Sequence, residues 1–114
     1  MRIFRFITTI ISSTLMTSCV INPNKISIAY PNWAEGIAVT HLAREILVEQ
    51  GFQVELLNAD IAPIFTSLAR GKTDVFLDSW LPVTHKPYFE KYQGKFEILG
   101  QVFDSARIGL VVPA

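Results

Sequence analysis

Residues 26–57 read ISIAYPNWAEGIAVTHLAREILVEQGFQVELL, and the changes of rhythm inside this stretch decide the fold. Ile26 to Tyr30 is short, mostly apolar and closed by Pro31-Asn32, which suits a buried strand running into a loop. From Glu35 to Gln50 the apolar residues Ile37, Ala38, Leu42, Ala43, Ile46 and Leu47 recur at helical spacing, with Glu45 and Glu49 off that stripe. Gly51 ends the helix as a cap. Phe52 to Leu57 then alternates apolar and polar residues, the rhythm of a second strand.

The same alternation continues downstream. Ile61 to Arg70 carries Ile61, Ile64, Phe65, Leu68 and Ala69 at helical spacing and stops at Gly71. Thr73 to Trp80 reads as a third apolar strand, Val83 to Tyr92 as a short helix or irregular turn, and Phe96 to Leu99 and Ile108 to Val112 as two further strands. Strands that alternate with helices of about ten to fifteen residues indicate right-handed crossovers and a mainly parallel sheet flanked by helices, an α/β fold. Ligands of such sheets collect beyond the carboxyl ends of the strands, where Pro31 to Glu35 and Ser79 to His85 would lie.

Upstream, Arg2 and Arg5 precede an almost uncharged run from Phe6 to Met16, the pattern of a signal peptide whose apolar core is too short for a permanent span. Met16-Thr17-Ser18 ahead of Cys19, the chain's only cysteine, resembles the bacterial lipobox, although Met16 stands where Leu is preferred. Residues 1–18 are thus expected to be a lipoprotein signal peptide, with Cys19 lipidated and tethering the protein to a membrane. The alternative is an ordinary secretory signal with Cys19 merely a small residue past the cleavage site. Residues 19–25, with Asn22-Pro23-Asn24, read as a tether, and order is expected from Ile26.

With 114 residues, half of them apolar and a formal charge of zero, the chain fits one modest globular core and offers nothing to a nucleic acid. After loss of Arg2 and Arg5, eight of the ten basic residues face ten acidic ones, a charge of −2. A domain without further cysteine has no disulfide and no Cys/His zinc cluster, so neither metal nor cofactor is expected. Asp78, Ser79, Thr84 and His85 lie close together, yet no nucleophile elbow or phosphate-binding loop accompanies them, so no enzyme and no catalytic residue is expected.

The informative residues are two tryptophans at strand ends. Trp33 follows the first strand and Trp80 ends the third, so two large π-faces from distant positions can meet at one rim. A quaternary ammonium carries no hydrogen-bond donor, and a site for it must use such faces. Core or rim packing is the ordinary alternative for any tryptophan. Asp78 and Glu35 read as structural, the first satisfying donors at a strand end and the second favouring the helix dipole. His41 lies inside the first helix and carries no expected role.

Ala29-Tyr30-Pro31-Asn32-Trp33, the turn Gly71-Lys72-Thr73-Asp74, the element Trp80-Leu81-Pro82-Val83-Thr84-His85 and the closing Gly109-Leu110-Val111-Val112-Pro113 together resemble glycine betaine and proline betaine binding proteins of ABC importers. The resemblance runs from about Lys25 to Ala114. It implies a type II periplasmic-binding-protein-like fold of which residues 26–114 form the first part of lobe one, without the second lobe and the returning segment. It also implies a cage for a quaternary ammonium such as glycine betaine, with Trp33 and Trp80 as two walls and His85 helping to hold the solute's carboxylate. The implied partners are an ABC permease and, through Cys19, a membrane of the cell envelope. Two other readings stay open: a fragment of a split or frameshifted gene without function, and a small envelope lipoprotein acting by protein contacts.

Overall fold

The computed structural model describes residues 23–113 apart from Ile108. The expected signal peptide, Cys19 and most of the expected tether lie outside the described residues. Three parallel strands form the sheet in the order β2-β1-β3. The central strand β1, Lys25–Tyr30, pairs along its whole length with β2, Gln53–Asn58, from Lys25 opposite Gln53 to Tyr30 opposite Asn58. On its other side it pairs with β3, Val75–Phe76, through Ile28 with Val75 and Ala29 with Phe76. Helix α1, Ala34–Glu49, crosses from β1 to β2, α2, Ile61–Ala69, crosses from β2 to β3, and α3, Lys86–Lys91, follows the loop after β3. This is the expected α/β arrangement of parallel strands joined by helices.

Both long helices stop by the same device. Gly51 has φ of 91° and Gly71 has φ of 63°, the left-handed region in which a side chain is strained. At the first, Phe52 N–H donates to Leu47 O at 3.0 Å and Gly51 N–H to Val48 O at 3.0 Å. At the second, Lys72 N–H donates to Ser67 O at 3.0 Å and Gly71 N–H to Leu68 O at 2.9 Å. These are Schellman turns, which satisfy the last carbonyls and aim the chain at the next strand.

With so short a ladder, β3 needs another hold on the sheet. A clasp at its start provides one: Asp74 Oδ2 accepts from both Ser27 N–H and Ser27 Oγ–H at 2.7 Å, while Asp74 N–H reaches Ser27 O and Oγ at 3.1 Å. These bonds favour the carboxylate and hold the Asp74 pKa below its ordinary value.

The third strand is shorter than the Thr73-to-Trp80 run suggests, because beyond Phe76 the side chains of Asp78 and Trp80 bond to each other and the chain leaves the ladder. The expected strand at Phe96 to Leu99 does not form, nor do residues 109–113 form one. A strand needs a neighbour for its N–H and C=O groups, and neither segment pairs with an edge of the sheet, β2 or β3. Leu99 is 86% exposed and Leu110 fully so. In α1, the buried positions are Gly36 and Thr40, with Ile37, Ala43 and Leu47 half-buried, whereas Leu42 and Ile46 of the expected stripe face outward. Apolar residues occur on more than one side of this helix, so periodicity alone did not single out the small residues that meet the sheet.

The core is small: among the described residues its buried apolar side chains are Ile28 and Ala29, on opposite faces of β1, and Ile64 and Phe65 of α2. Phe65 is its hub, stacking on Tyr88 at 5.3 Å between centroids and meeting Phe76 edge-on at 5.8 Å and Phe96 at 5.7 Å. Such ring pairs add to ordinary burial. Truncation of a ring held on so many sides leaves a cavity, so Phe65→Ala is expected to cost about 3–5 kcal/mol. Urea unfolding followed by circular dichroism measures it.

Candidate functional site

The carboxyl ends of β1 and β3 deliver two loops to one rim. After Tyr30 the chain turns at Pro31, and the N–H of Trp33 donates to Pro31 O at 2.8 Å. Trp33 is the extended residue that caps α1, its carbonyl accepting from Ile37 N–H at 2.9 Å. The indole is thereby anchored between strand and helix on both sides of its backbone, and it remains 38% exposed.

The second loop closes on itself. Trp80 N–H donates to His85 Nδ1 at 2.9 Å and His85 N–H donates to Trp80 O at 2.9 Å, a reciprocal pair that spans the cis Leu81–Pro82 bond. His85 then caps α3, whose Tyr88 and Phe89 N–H groups bond its carbonyl at 3.1 Å. The indole Nε1–H of Trp80 turns the other way and donates to Asp78 Oδ1 at 2.8 Å.

The imidazole joins the two loops. It stacks against the Trp33 ring at 5.9 Å and 24°, takes Phe65 edge-on at 5.7 Å, and lies 6.3 Å from Phe76 and 6.4 Å from Tyr88. Only 2% of His85 is exposed. The structure therefore brings the Trp33 ring and the Trp80 backbone together on His85, while the Trp80 indole is held by Asp78. Burial among rings penalises the imidazolium and lowers the His85 pKa. Because Nδ1 accepts a backbone N–H, the neutral ring carries its proton on Nε2. A protonated His85, a stronger donor in principle, would have to break its bond to Trp80.

Asp78 is buried, 6% exposed, and no partner reaches its second oxygen, Oδ2. That oxygen sits against the first turn of α1, where a Cβ on Gly36 would lie 2.5 Å from it. Burial raises the Asp78 pKa, the Trp80 bond opposes this, and the negative charge of Glu35 adds to the rise. The structural reading of Asp78 is correct in kind, though its partner is an indole N–H rather than the backbone. Gly36 escaped the sequence reading. Its signal was a glycine inside a helical run, which costs about 1 kcal/mol against alanine and therefore points to a close approach. Phe65, known from the sequence only by its helical spacing, and Phe76 and Tyr88, which the sequence did not single out, form the walls around His85.

His41 stays exposed, its ring edge-on to Tyr30 at 6.0 Å. Among the described residues no group of His, Cys, Asp and Glu could hold a metal, and no helix is long and apolar enough to cross a membrane. Two surface depressions, of about 460 Å³ along α2 and about 330 Å³ beside α3, are lined by neither tryptophan nor by His85. At the rim Trp33 is exposed, Trp80 half-buried and His85 buried.

A family model described as the substrate binding domain of ABC-type glycine betaine transport systems matches residues 24–114. The chain belongs to this family. It is a family of transport binding domains, not of enzymes. A glycine betaine/carnitine transport binding protein of Listeria monocytogenes is 34% identical over 93 residues, which cover 82% of this chain and 31% of that protein. Among solved structures, lactococcal OpuAC in its closed, liganded conformation with glycine betaine matches with a TM-score of 0.65 and 31% identity, over 68% of this chain and 30% of that one. The α/β architecture is thus that of the OpuAC periplasmic-binding-protein fold. The chain spans less than a third of the length of either relative.

The buried neutral His85 has a thermodynamic consequence. Its pKa in the folded state lies below the unfolded value of about 6.5, so between the two the unfolded chain binds more protons and stability falls as pH falls. Denaturant melts across this window should show a loss of stability on acidification that is absent in His85→Gln, which cannot titrate.

Proposed function

We propose that this chain contributes to a capture site for a quaternary-ammonium solute of the glycine betaine type, within the substrate-binding component of an ABC importer. The observation that carries the reading is the meeting, beyond the carboxyl ends of β1 and β3, of the loops that bear Trp33 and Trp80: the Trp33 ring stacks on His85, and the Trp80 backbone bonds its Nδ1. The two indoles offer π-faces to the trimethylammonium, each contributing on the order of 1 kcal/mol, more where water is excluded. The Nε2–H of neutral His85 is the donor for the solute's carboxylate. Family membership and the likeness to a structure holding glycine betaine support the same chemistry. In this reading the protein is exported, held to a membrane of the cell envelope by a lipid on Cys19, and delivers its solute to a permease subunit.

Two rings and one imidazole on an open rim leave water in contact with the cation, so these residues by themselves should bind glycine betaine only weakly, at about millimolar or above. Nuclear magnetic resonance titration of the indole N–H signals tests this: glycine betaine should shift both, and micromolar affinity would contradict the open-rim account. Trp33→Ala or Trp80→Ala should weaken binding about fivefold or more. Tetramethylammonium, which has no carboxylate, separates the roles. His85→Ala should weaken glycine betaine more than tetramethylammonium if the ring reads the carboxylate, and both alike if it only supports Trp33.

A further inference from the structure

Asp78 is the one buried carboxylate at the rim, and the capture reading leaves it without a part. Its two oxygens do different things. Oδ1 takes the indole N–H of Trp80 at 2.8 Å, while Oδ2, unpartnered, is packed against Gly36 in the first turn of the helix that Trp33 caps. One side chain therefore sets where the Trp80 ring points and how near the two tryptophan-bearing elements come. A carboxylate is an expensive way to fill this space. Burial disfavours the charge, and a leucine would occupy the volume without an unpaired oxygen.

We propose that Asp78 is a positioning residue for Trp80: its carboxylate aims the indole and, through the N–H···O bond, enriches the ring's face as a seat for a cation. The cation term rests on the quaternary-ammonium reading. Attraction of a cation to an aromatic face is electrostatic, so a negative charge on the N–H edge of the ring strengthens it. The terminus of α1 favours a negative charge beside Gly36, which helps keep the carboxylate ionised despite its burial. The other titratable groups around it are Glu35 from α1, whose like charge repels that of Asp78, and His85, which shares Trp80 as a bonding partner.

Two variants and two ligands test the proposal on the full chain. Asp78→Asn keeps an oxygen acceptor for Nε1–H but not the charge, and Asp78→Leu keeps neither. In the ligand-free protein the Trp80 indole proton should stay near its original resonance in Asp78→Asn and move to a solvent-like position in Asp78→Leu. Titrations then use glycine betaine and 3,3-dimethylbutanoate, in which carbon replaces the charged nitrogen at the same shape. Asp78→Asn should weaken glycine betaine about threefold to tenfold and leave the uncharged headgroup within about twofold. An unmoved indole resonance in Asp78→Leu overturns the positioning role, and an unchanged ratio of the two ligands in Asp78→Asn overturns the electrostatic one. A wild-type chain that responds to neither ligand defeats the quaternary-ammonium reading and with it the cation term, while the ligand-free resonances still decide the positioning.

Discussion

A single backbone donor, the N–H of Trp80, finds its acceptor in the Nδ1 of His85, and the rest of the rim is arranged around that bond. The reciprocal backbone bond from His85 N–H to Trp80 O closes the loop, so an imidazole that rotated away would leave the Trp80 N–H without its acceptor inside a loop still held shut. With Nδ1 occupied and the ring buried, the neutral tautomer is fixed and a flat, uncharged plate is left for Trp33 to lie on. The plate rests in turn on Phe65, the ring about which the small core is built. Core and rim thus share one aromatic stack and are not independently adjustable.

Elsewhere the fold spends its regular structure on bringing those loops together. Two Schellman turns stop the helices and direct β2 and β3 alongside β1. β1 contributes Ile28 and Ala29 to the core midway along its length and Trp33 to the rim past its end. β3 holds only two ladder residues, and the Ser27–Asp74 clasp fixes its start, so the loop carrying Trp80 is placed largely by side-chain bonds at both of its ends.

Much of this was legible in the residues. The alternation of short apolar runs with helical stretches, the first two closed by glycine, pointed to parallel strands joined by helical crossovers and placed Trp33 just past a strand end; Trp80, expected to end the third strand, lies in the loop beyond it. What periodicity could not supply was which face of α1 meets the sheet, since the residues that do so, Gly36 and Thr40, are small or polar and carry no apolar signal. Nor could it tell that Phe96 to Leu99 lacks a neighbour to pair with, because strand formation is a property of two segments and a sequence window describes one. At the rim, the residue types were visible but their bonds were not. The acceptor role of Nδ1, and hence the neutral state of His85, depends on a loop conformation that no spacing rule encodes.

The contact between Gly36 and Asp78 joins the first turn of one helix to a loop far along the chain, with no room for a methyl group between them. Position 36 is not free to drift while Asp78 stays as it is, because any side chain there displaces the carboxylate. Across the family a side chain at 36 should therefore come with a smaller residue at 78, a one-way dependency that a comparison of many sequences would register as covariation even where each position alone looks unremarkable.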